Sequence, residues 1–237
     1  MREGIFDSYM ISQLQLDILL NSMECNEIYG IERRYDKENV DRAKVYVEIN
    51  RMISDGFITV GDNKFIIDSK VKECLRNMAD AEHIVHLYAG SGSDYLCYLN
   101  PVTADIVSFS NIRDRISVTQ MSVEEFKNIF LEEILPDDME MPDESADTKT
   151  YIDRENELIE LSKAGVMDYR VRFMCGVVDG KSGEKRCLYG FNSSDLPECN
   201  HCYVADYTSG IRRISAYNKK ELITFISEYG RRDYGDG

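Results

Sequence analysis

Apolar residues recur at helical spacing over 8–22 and over 38–54, which predicts a helix in each segment. Asp55-Gly56 ends the second helix. Apolar residues on both sides of the turn Gly61–Asn63 then predict a β-hairpin, because these turn residues tolerate positive φ. Helices followed by such a hairpin are typical of a winged helix.

The next part of the chain predicts a helix, three strands and a closing helix. The first helix covers 69–80, and the apolar strands cover 83–89, 94–100 and 104–110. The closing helix covers 122–135.

The second half repeats this order of elements. A helix is predicted over 151–164, followed by strands over 168–178, 185–192 and 201–208 and a last helix over 218–229. The repeat predicts that both halves contribute to one shared antiparallel sheet. The alternative is coincidence, because a helix, a meander and a helix often follow one another.

The closing helices of the two halves begin with the same signal, a capping box preceded by a hydrophobic staple. The matching residues are Met121, Ser122, Glu125 and Phe126 in the first half and Tyr217, Asn218, Glu221 and Leu222 in the second. We therefore predict an α+β fold with a pseudo-two-fold antiparallel β-sheet flanked by helices and an N-terminal winged-helix-like segment.

An acidic segment divides the chain. Residues 136–147 carry six acids and no base, which predicts a linker. We expect 1–135 to hold the N-terminal helices, the wing hairpin and the first sheet unit. The second sheet unit and the C-terminal helix would then occupy 148–237, within one continuous domain.

Charge and hydropathy restrict the partners and the location. The net charge is −15, and no basic cluster exceeds a pair such as Arg212-Arg213, so we expect no nucleic-acid partner. No apolar run approaches the roughly 20 residues of a membrane span, and the N-terminus lacks a signal-peptide pattern. The seven cysteines, an odd number, favour a reducing compartment. These features predict a cytoplasmic protein without membrane insertion, as a monomer or a dimer.

Three chemical motifs have simpler structural explanations. The Cys199–Cys202 C-x-x-C has no second ligand pair, so two ordinary cysteines are favoured over zinc or redox chemistry. The P-loop-like Gly176–Ser182 is followed by a strand pattern, which favours a hairpin turn. His83 and His86 lie on opposite faces of their predicted strand and form no joint ligand pair. We expect no catalytic residues, no metal and no cofactor.

The segment from Val71 to Asp137 resembles the EspG-like family of ESX (type VII) secretion chaperones. The similarity lies in the order of elements and their apolar spacing, and it extends over nearly the whole chain. The richness in Ile and Tyr indicates a distant Gram-positive (Firmicutes-like) member of this family. The resemblance implies a chaperone without catalytic residues.

The sequence therefore predicts a non-catalytic cytoplasmic adaptor or chaperone that binds a helical type VII secretion substrate, such as a secreted helical-hairpin protein, before export. Two loops and the C-terminal helix are the candidate binding surfaces. Their residues are Gly90, Ser91, Gly92, Ser93, Asp94, Asp179, Gly180, Lys181, Phe225 and Tyr229. The alternatives are an immunity or inhibitor protein against a secreted toxin, a winged-helix transcription regulator, and an enzyme.

Overall fold

A computed structural model describes residues 7–25, 28–31, 40–62, 64–89, 93–109, 114–135, 137, 171–180, 185–192, 202–208, 211–215 and 218–228. The chain forms two compact units. The first contains Met1–Ile84 and Tyr95–Val123, and the second contains Val85–Asp94 and Glu124–Gly237. Both units combine helices with antiparallel strands, which confirms the predicted α+β class.

The elements are numbered in chain order. The strands are β1 (Asp7–Ser12), β2 (Ile58–Gly61), β3 (Lys64–Ile67), β4 (His83–Ala89), β5 (Ser93–Leu99), β6 (Thr103–Phe109), β7 (Arg115–Ser122), β8 (Val171–Asp179), β9 (Lys185–Asn192), β10 (Cys202–Thr208) and β11 (Ile211–Ser215). The helices are α1 (Gln13–Ser22), α2 (Arg42–Ser54), α3 (Ser69–Ala79), α4 (Val123–Glu125, Phe126–Leu131 and Glu132–Ile134, in direct succession) and α5 (Lys219–Glu228).

In the first unit, the strands β1, β7, β6 and β5 lie side by side in that order, and each pair is antiparallel. Helix α3 packs against β6. Its buried residues recur at the spacing of one helical face and are Val71, Cys74, Leu75 and Met78. Burying an apolar side chain of this size contributes about 1.5–3 kcal/mol. The apolar stripe that predicted α3 therefore also holds it on the sheet.

The predicted helix over 8–22 is wrong in its first part, where the structure has a strand. Residues Asp7–Ser12 form β1, which pairs with β7 along its whole length. Ser12 then starts α1 with a capping box: its side chain accepts from the Gln15 N–H, and its own N–H donates to Gln15 Oε1 at 2.9 Å. The strand pairing and this cap together override the helical spacing of the apolar residues.

Each half of the chain contains a fourth strand that the sequence pattern did not predict. Strand β7 lies between β6 and α4, and β11 lies between β10 and α5. Both follow directly on their partner strand and pair with it. In β7, buried Ile116 and Val118 alternate with more exposed polar residues, which is the period of a half-buried strand rather than of a turn.

The other predicted elements agree with the structure to within a few residues where they are described. These include the hairpin β2–β3, the helices α2 and α3 and the strands β4, β5, β6, β8, β9 and β10. Asn218 caps α5 as predicted, accepting from the Lys220 N–H at 3.1 Å. The predicted helix over 151–164 lies outside the described residues, as does nearly all of the acidic linker.

In the second unit, the strand order is β4, β8, β9, β10 and β11. Helix α4 is π-helical in its middle, from Phe126 to Leu131, and there the Phe126 and Phe130 rings stack with centroids 5.5 Å apart. Helix α5 contacts this π-helical part. The Lys219 ammonium at the start of α5 donates to the Glu132 carbonyl oxygen and to Asp137 Oδ1, both at 2.6 Å.

Among the described residues, no helix is both long enough and apolar enough to cross a membrane.

Candidate functional site

Helix α2 has a packed face that fixes it in the first unit. Met52 on this face is fully buried, and Glu48 is 4% exposed. The Glu48 carboxylate accepts from Arg51 Nη1 at 2.8 Å and from Ser12 Oγ at 3.3 Å. Because Ser12 also caps α1, one polar network connects the two helices.

The opposite face of α2 carries large apolar side chains that are exposed. Tyr46 is 67% exposed, Val47 48% and Ile53 39%. Tyr46 and Ile53 stand seven residues apart and therefore lie on the same side of the helix. The helix is packed on one face and presents exposed apolar side chains on the other.

The hairpin β2–β3 exposes apolar side chains on both of its faces. Val60 and Phe65 pair directly across the hairpin and are 64% and 53% exposed. Ile66 points to the other face, because side chains alternate along a strand, and it is 55% exposed. It lies over Gly61, where an added Cβ would stand 3.1 Å from Ile66 Cδ1. We call Val60, Phe65 and Ile66 the hairpin surface.

The base of the hairpin is anchored in the first unit. Phe57 is 7% exposed and its ring meets that of Tyr9 edge to face, with centroids 6.0 Å apart. The Asp68 N–H donates to the Phe57 carbonyl oxygen at 2.9 Å. At the tip, Asp62 has φ 47°, the left-handed geometry that the predicted turn requires. The hairpin surface therefore projects from a fixed base.

The first predicted binding loop is described only in part. Gly90, Ser91 and Gly92 lie outside the described residues, whereas Ser93 and Asp94 begin β5. Asp94 lies beside His86, and its Oδ1 is 2.5 Å from His86 Nε2. Both side chains are partly exposed, at 44% and 39%.

The remaining predicted binding residues lie in the second unit. Asp179 ends β8 and Gly180 lies in the turn after it, whereas Lys181 is outside the described residues. Phe225 is half-buried in α5, and Tyr229 is outside the described residues. The binding role of all these residues stays a prediction.

The structure supports the simpler explanation of the P-loop-like motif. Strands β8 and β9 on its two sides pair antiparallel, with Val178 opposite Lys185. A P-loop leads from a strand into a helix whose N-terminus holds phosphate. In the C-x-x-C motif, Cys202 begins β10, whereas Cys199 is outside the described residues.

Asp105 on β6 carries a buried carboxyl group with a raised pKa. Its side chain is fully buried, and its Oδ1 accepts from Gln120 Nε2 at 2.9 Å. The pKa of Asp105 is raised to about 6, mainly because the carboxyl group is buried. Hydrogen bonds from Cys74, Gln120 and Asn77 lower the pKa and so oppose burial, whereas the charge of Glu73 adds to the increase. The buried Oδ2 has no partner with full hydrogen-bond geometry among the described residues.

The thiol beside this carboxyl group is chemically quiet. Burial, reinforced by the neighbouring charge of Asp105, raises the pKa of Cys74 far above its usual range. The thiolate, not the thiol, is the nucleophile and the metal ligand. The Asp105–Cys74 pair is therefore suited to a structural role in the core. Within the described part of the chain, no three or more His, Cys, Asp or Glu side chains converge as they would around a metal ion.

Sequence reasoning missed the hairpin surface and the exposed face of α2. In the hairpin, the sequence did contain a signal for exposed apolar residues. Apolar residues occupy consecutive positions in Lys64–Ile67 instead of alternating with polar ones, so they fall on both faces of the strand. The same pattern is also typical of a buried strand. In α2, apolar residues fall on two sides of the helix, and only one side is packed.

No protein-family model and no curated protein matches the chain.

Proposed function

We propose that this protein is a non-catalytic, cytoplasmic adaptor or chaperone that binds a helical type VII secretion substrate before export. The hairpin surface is the observation that carries the proposal. Three large apolar side chains are more than half exposed on four-residue strands, anchored by a buried base. Val60 and Phe65 are neighbours on one face of the hairpin, and contiguous exposed apolar side chains are typical of protein interaction sites.

The chemistry of this surface suits an apolar helical partner. Val60 and Phe65 form one apolar face of the hairpin, and Ile66 stands on the other. Each such side chain contributes about 1.5–3 kcal/mol when it goes from water to full burial. A secreted protein with an apolar helical tip would gain from the same burial, and the hairpin would cover that tip until export.

The resemblance to EspG-like chaperones is the second support for the proposal, and it includes a pseudo-two-fold fold with a winged-helix-like N-terminal segment. Two features favour this fold. A strand, β7 or β11, leads directly into a helix, α4 or α5, in each half. Phe126 and Leu222, which occupy matching positions in the two capping motifs, are both buried.

Affinity purification from the native host tests the function. The tagged protein is compared with the double variant Val60→Ser/Phe65→Ser, and bound proteins are identified by mass spectrometry. We expect the unaltered protein to retain a secreted helical protein or a type VII secretion component, and the double variant to retain at least about tenfold less of it, as for loss of central interface residues.

The matched control is Val102→Ser. Val102 lies in the turn between β5 and β6 of the same unit and is 72% exposed, so its replacement removes a similar exposed apolar side chain. We expect this variant to retain the partner fully. Recovery of no secreted helical protein and no secretion component by the unaltered protein would refute the proposed function.

An immunity or inhibitor protein against a secreted toxin is the second candidate. The net charge of −15 favours it, because it would attract a basic partner. Charge-driven association weakens with salt, whereas apolar association does not. A partner that dissociates on raising the salt concentration would support the toxin inhibitor, and a salt-resistant complex would support the adaptor.

A further inference from the structure

The exposed face of α2 has the spacing of a coiled-coil seam. Ala43, Tyr46, Asn50 and Ile53 occupy successive a and d positions of a heptad pattern, and all four are exposed. Val47, also exposed, borders them at an e position. We call these five residues the α2 stripe. The spacing matches an α-helical partner, because side chains at a and d positions insert between those of a second helix.

The α2 stripe carries no charge. The charged residues of α2 fall elsewhere on the helix: Lys44 and Arg51 are at b positions, and Glu48 lies on the packed face. Arg42 is at a g position, where a parallel partner helix would present Val47. A second α2 helix could therefore approach without setting like charges against each other in the seam.

Charge also selects this face for contact between two copies of the chain. Each copy has a net charge of −15, so most surfaces repel one another. Across 41–55, however, the three basic residues balance the three acidic ones. They are Arg42, Lys44 and Arg51 against Asp41, Glu48 and Asp55. A contact through α2 brings together a locally neutral segment of an otherwise strongly acidic protein.

The amide of Asn50 favours a second copy of the same chain as the partner. An amide both donates and accepts hydrogen bonds, so the amide of the same residue in a second copy satisfies it. In a parallel pair of helices, residues at a positions face their own counterparts. A single asparagine at an a position is a known means of fixing the register of two-stranded pairs.

We propose that two copies of the chain associate through their α2 stripes, as a parallel helix pair in which the two Asn50 side chains face each other. Only two heptads take part, so the dimer is weak and depends on protein concentration. The proposal is independent of the adaptor function, which rests on the hairpin surface.

Sedimentation equilibrium of the full chain, over a range of protein concentrations, tests the association. We expect the average mass to rise towards twice that of one chain. Ile53→Glu places a charge in the seam and should raise the dimer dissociation constant about tenfold or more. Lys44→Glu, an exposed change at a b position, should leave association unchanged. A chain that stays monomeric throughout, or an Ile53→Glu variant that associates as well as the unaltered protein, would overturn the proposal.

Disulfide trapping tests the register. In oxidising conditions, the Asn50→Cys variant should yield a linked dimer, and mass spectrometry should find the α2 peptides of two copies joined through their introduced thiols. The Lys44→Cys variant should not form the corresponding link. An Asn50→Cys protein that still dimerises without joining its introduced thiols would overturn the parallel α2 pairing. Because Ile53, Asn50 and Lys44 are all exposed, we expect each variant to fold. Circular dichroism melting of each variant checks this.

Discussion

Two regions of the first unit differ in which side chains they bury: one buries acidic groups, and the other exposes apolar ones. Around β6 and the packed face of α2, the acidic groups of Asp105 and Glu48 are buried. On the hairpin, Val60 and Phe65 are more than half exposed. In the first region, Gln120 donates to Asp105, and Ser12 and Arg51 donate to Glu48. The second region leaves apolar surface in water.

Different residues should determine the stability of the fold and its binding to other molecules. A buried carboxyl group costs free energy unless donors surround it, so its neighbours are fixed by folding. An exposed apolar side chain contributes little to folding, and only contact with another molecule would bury it further. Substitutions in the first region should therefore act on unfolding, and substitutions in the second on binding.

Met52 and Ile53 offer the sharpest test of this separation, because they are neighbours in α2 and differ in burial. We expect Met52→Ala to lower the free energy of unfolding by about 2–5 kcal/mol, because it leaves a cavity in the core. Ile53→Ala, at a side chain that is 39% exposed, should cost no more than about 1 kcal/mol. Urea denaturation measures both values, and equal losses in the two variants would contradict the assigned faces of α2.

The raised pKa of Asp105 predicts a pH dependence of stability of up to about 3 kcal/mol. The folded state keeps a proton that the unfolded state has already released between pH 3.8 and about 6. The contribution of Asp105 is therefore fully present below this window and is lost as the pH rises through it.

Comparison with Asp105→Asn isolates this contribution from those of the other acids. We expect the unaltered protein to lose stability relative to the variant from about pH 4 to about pH 6, and the difference to stay constant above that range. Urea denaturation at a series of pH values measures it. A difference that does not change with pH would mean that the Asp105 pKa is not raised.

Removing the cap of α1 should have a smaller effect. Ser12→Ala removes both the capping oxygen for the Gln15 N–H and the bond to Glu48, and we expect a loss of about 1 kcal/mol. Ser22→Ala is the control, since the exposed Ser22 Oγ donates to the Ile18 carbonyl oxygen of its own helix. Thermal melting should separate the two variants, and a Ser12→Ala protein as stable as the control would argue against the network.

Phe65→Ser should have the smallest effect on folding. The ring is 53% exposed, and we expect the free energy of unfolding to change by less than about 0.5 kcal/mol. Melting curves that overlay those of the unaltered protein would agree with a binding surface. A large loss of stability would show that the ring belongs to the core.

Local signals in the sequence predicted most of the fold. The turn Gly61–Asn63 located the hairpin, and the apolar stripe of α3 located that helix, because each signal lies within the element it specifies. Strand β1 was missed because its partner β7 lies far along the chain. The π-helical part of α4 was missed because apolar periodicity does not distinguish it from an α-helix.

The candidate site was harder to predict than the fold. Periodicity shows that Tyr46 and Ile53 share one side of α2, but burial depends on what packs there. Glu48 would be assigned to solvent from its charge, yet Ser12 and Arg51 bind it inside the unit. Exposure of an apolar residue is a property of tertiary packing, and short-range patterns do not contain it.

Hydrogen–deuterium exchange of the protein, alone and with the partner that affinity purification recovers, tests the central claim most directly. We predict slower exchange on binding at the amides of Ile58–Gly61 and Lys64–Ile67, the two strands that carry the hairpin surface. Unchanged exchange in these strands, with protection confined to the β4–β5 turn, the β8–β9 turn or α5, would contradict the assignment of the binding site to the hairpin.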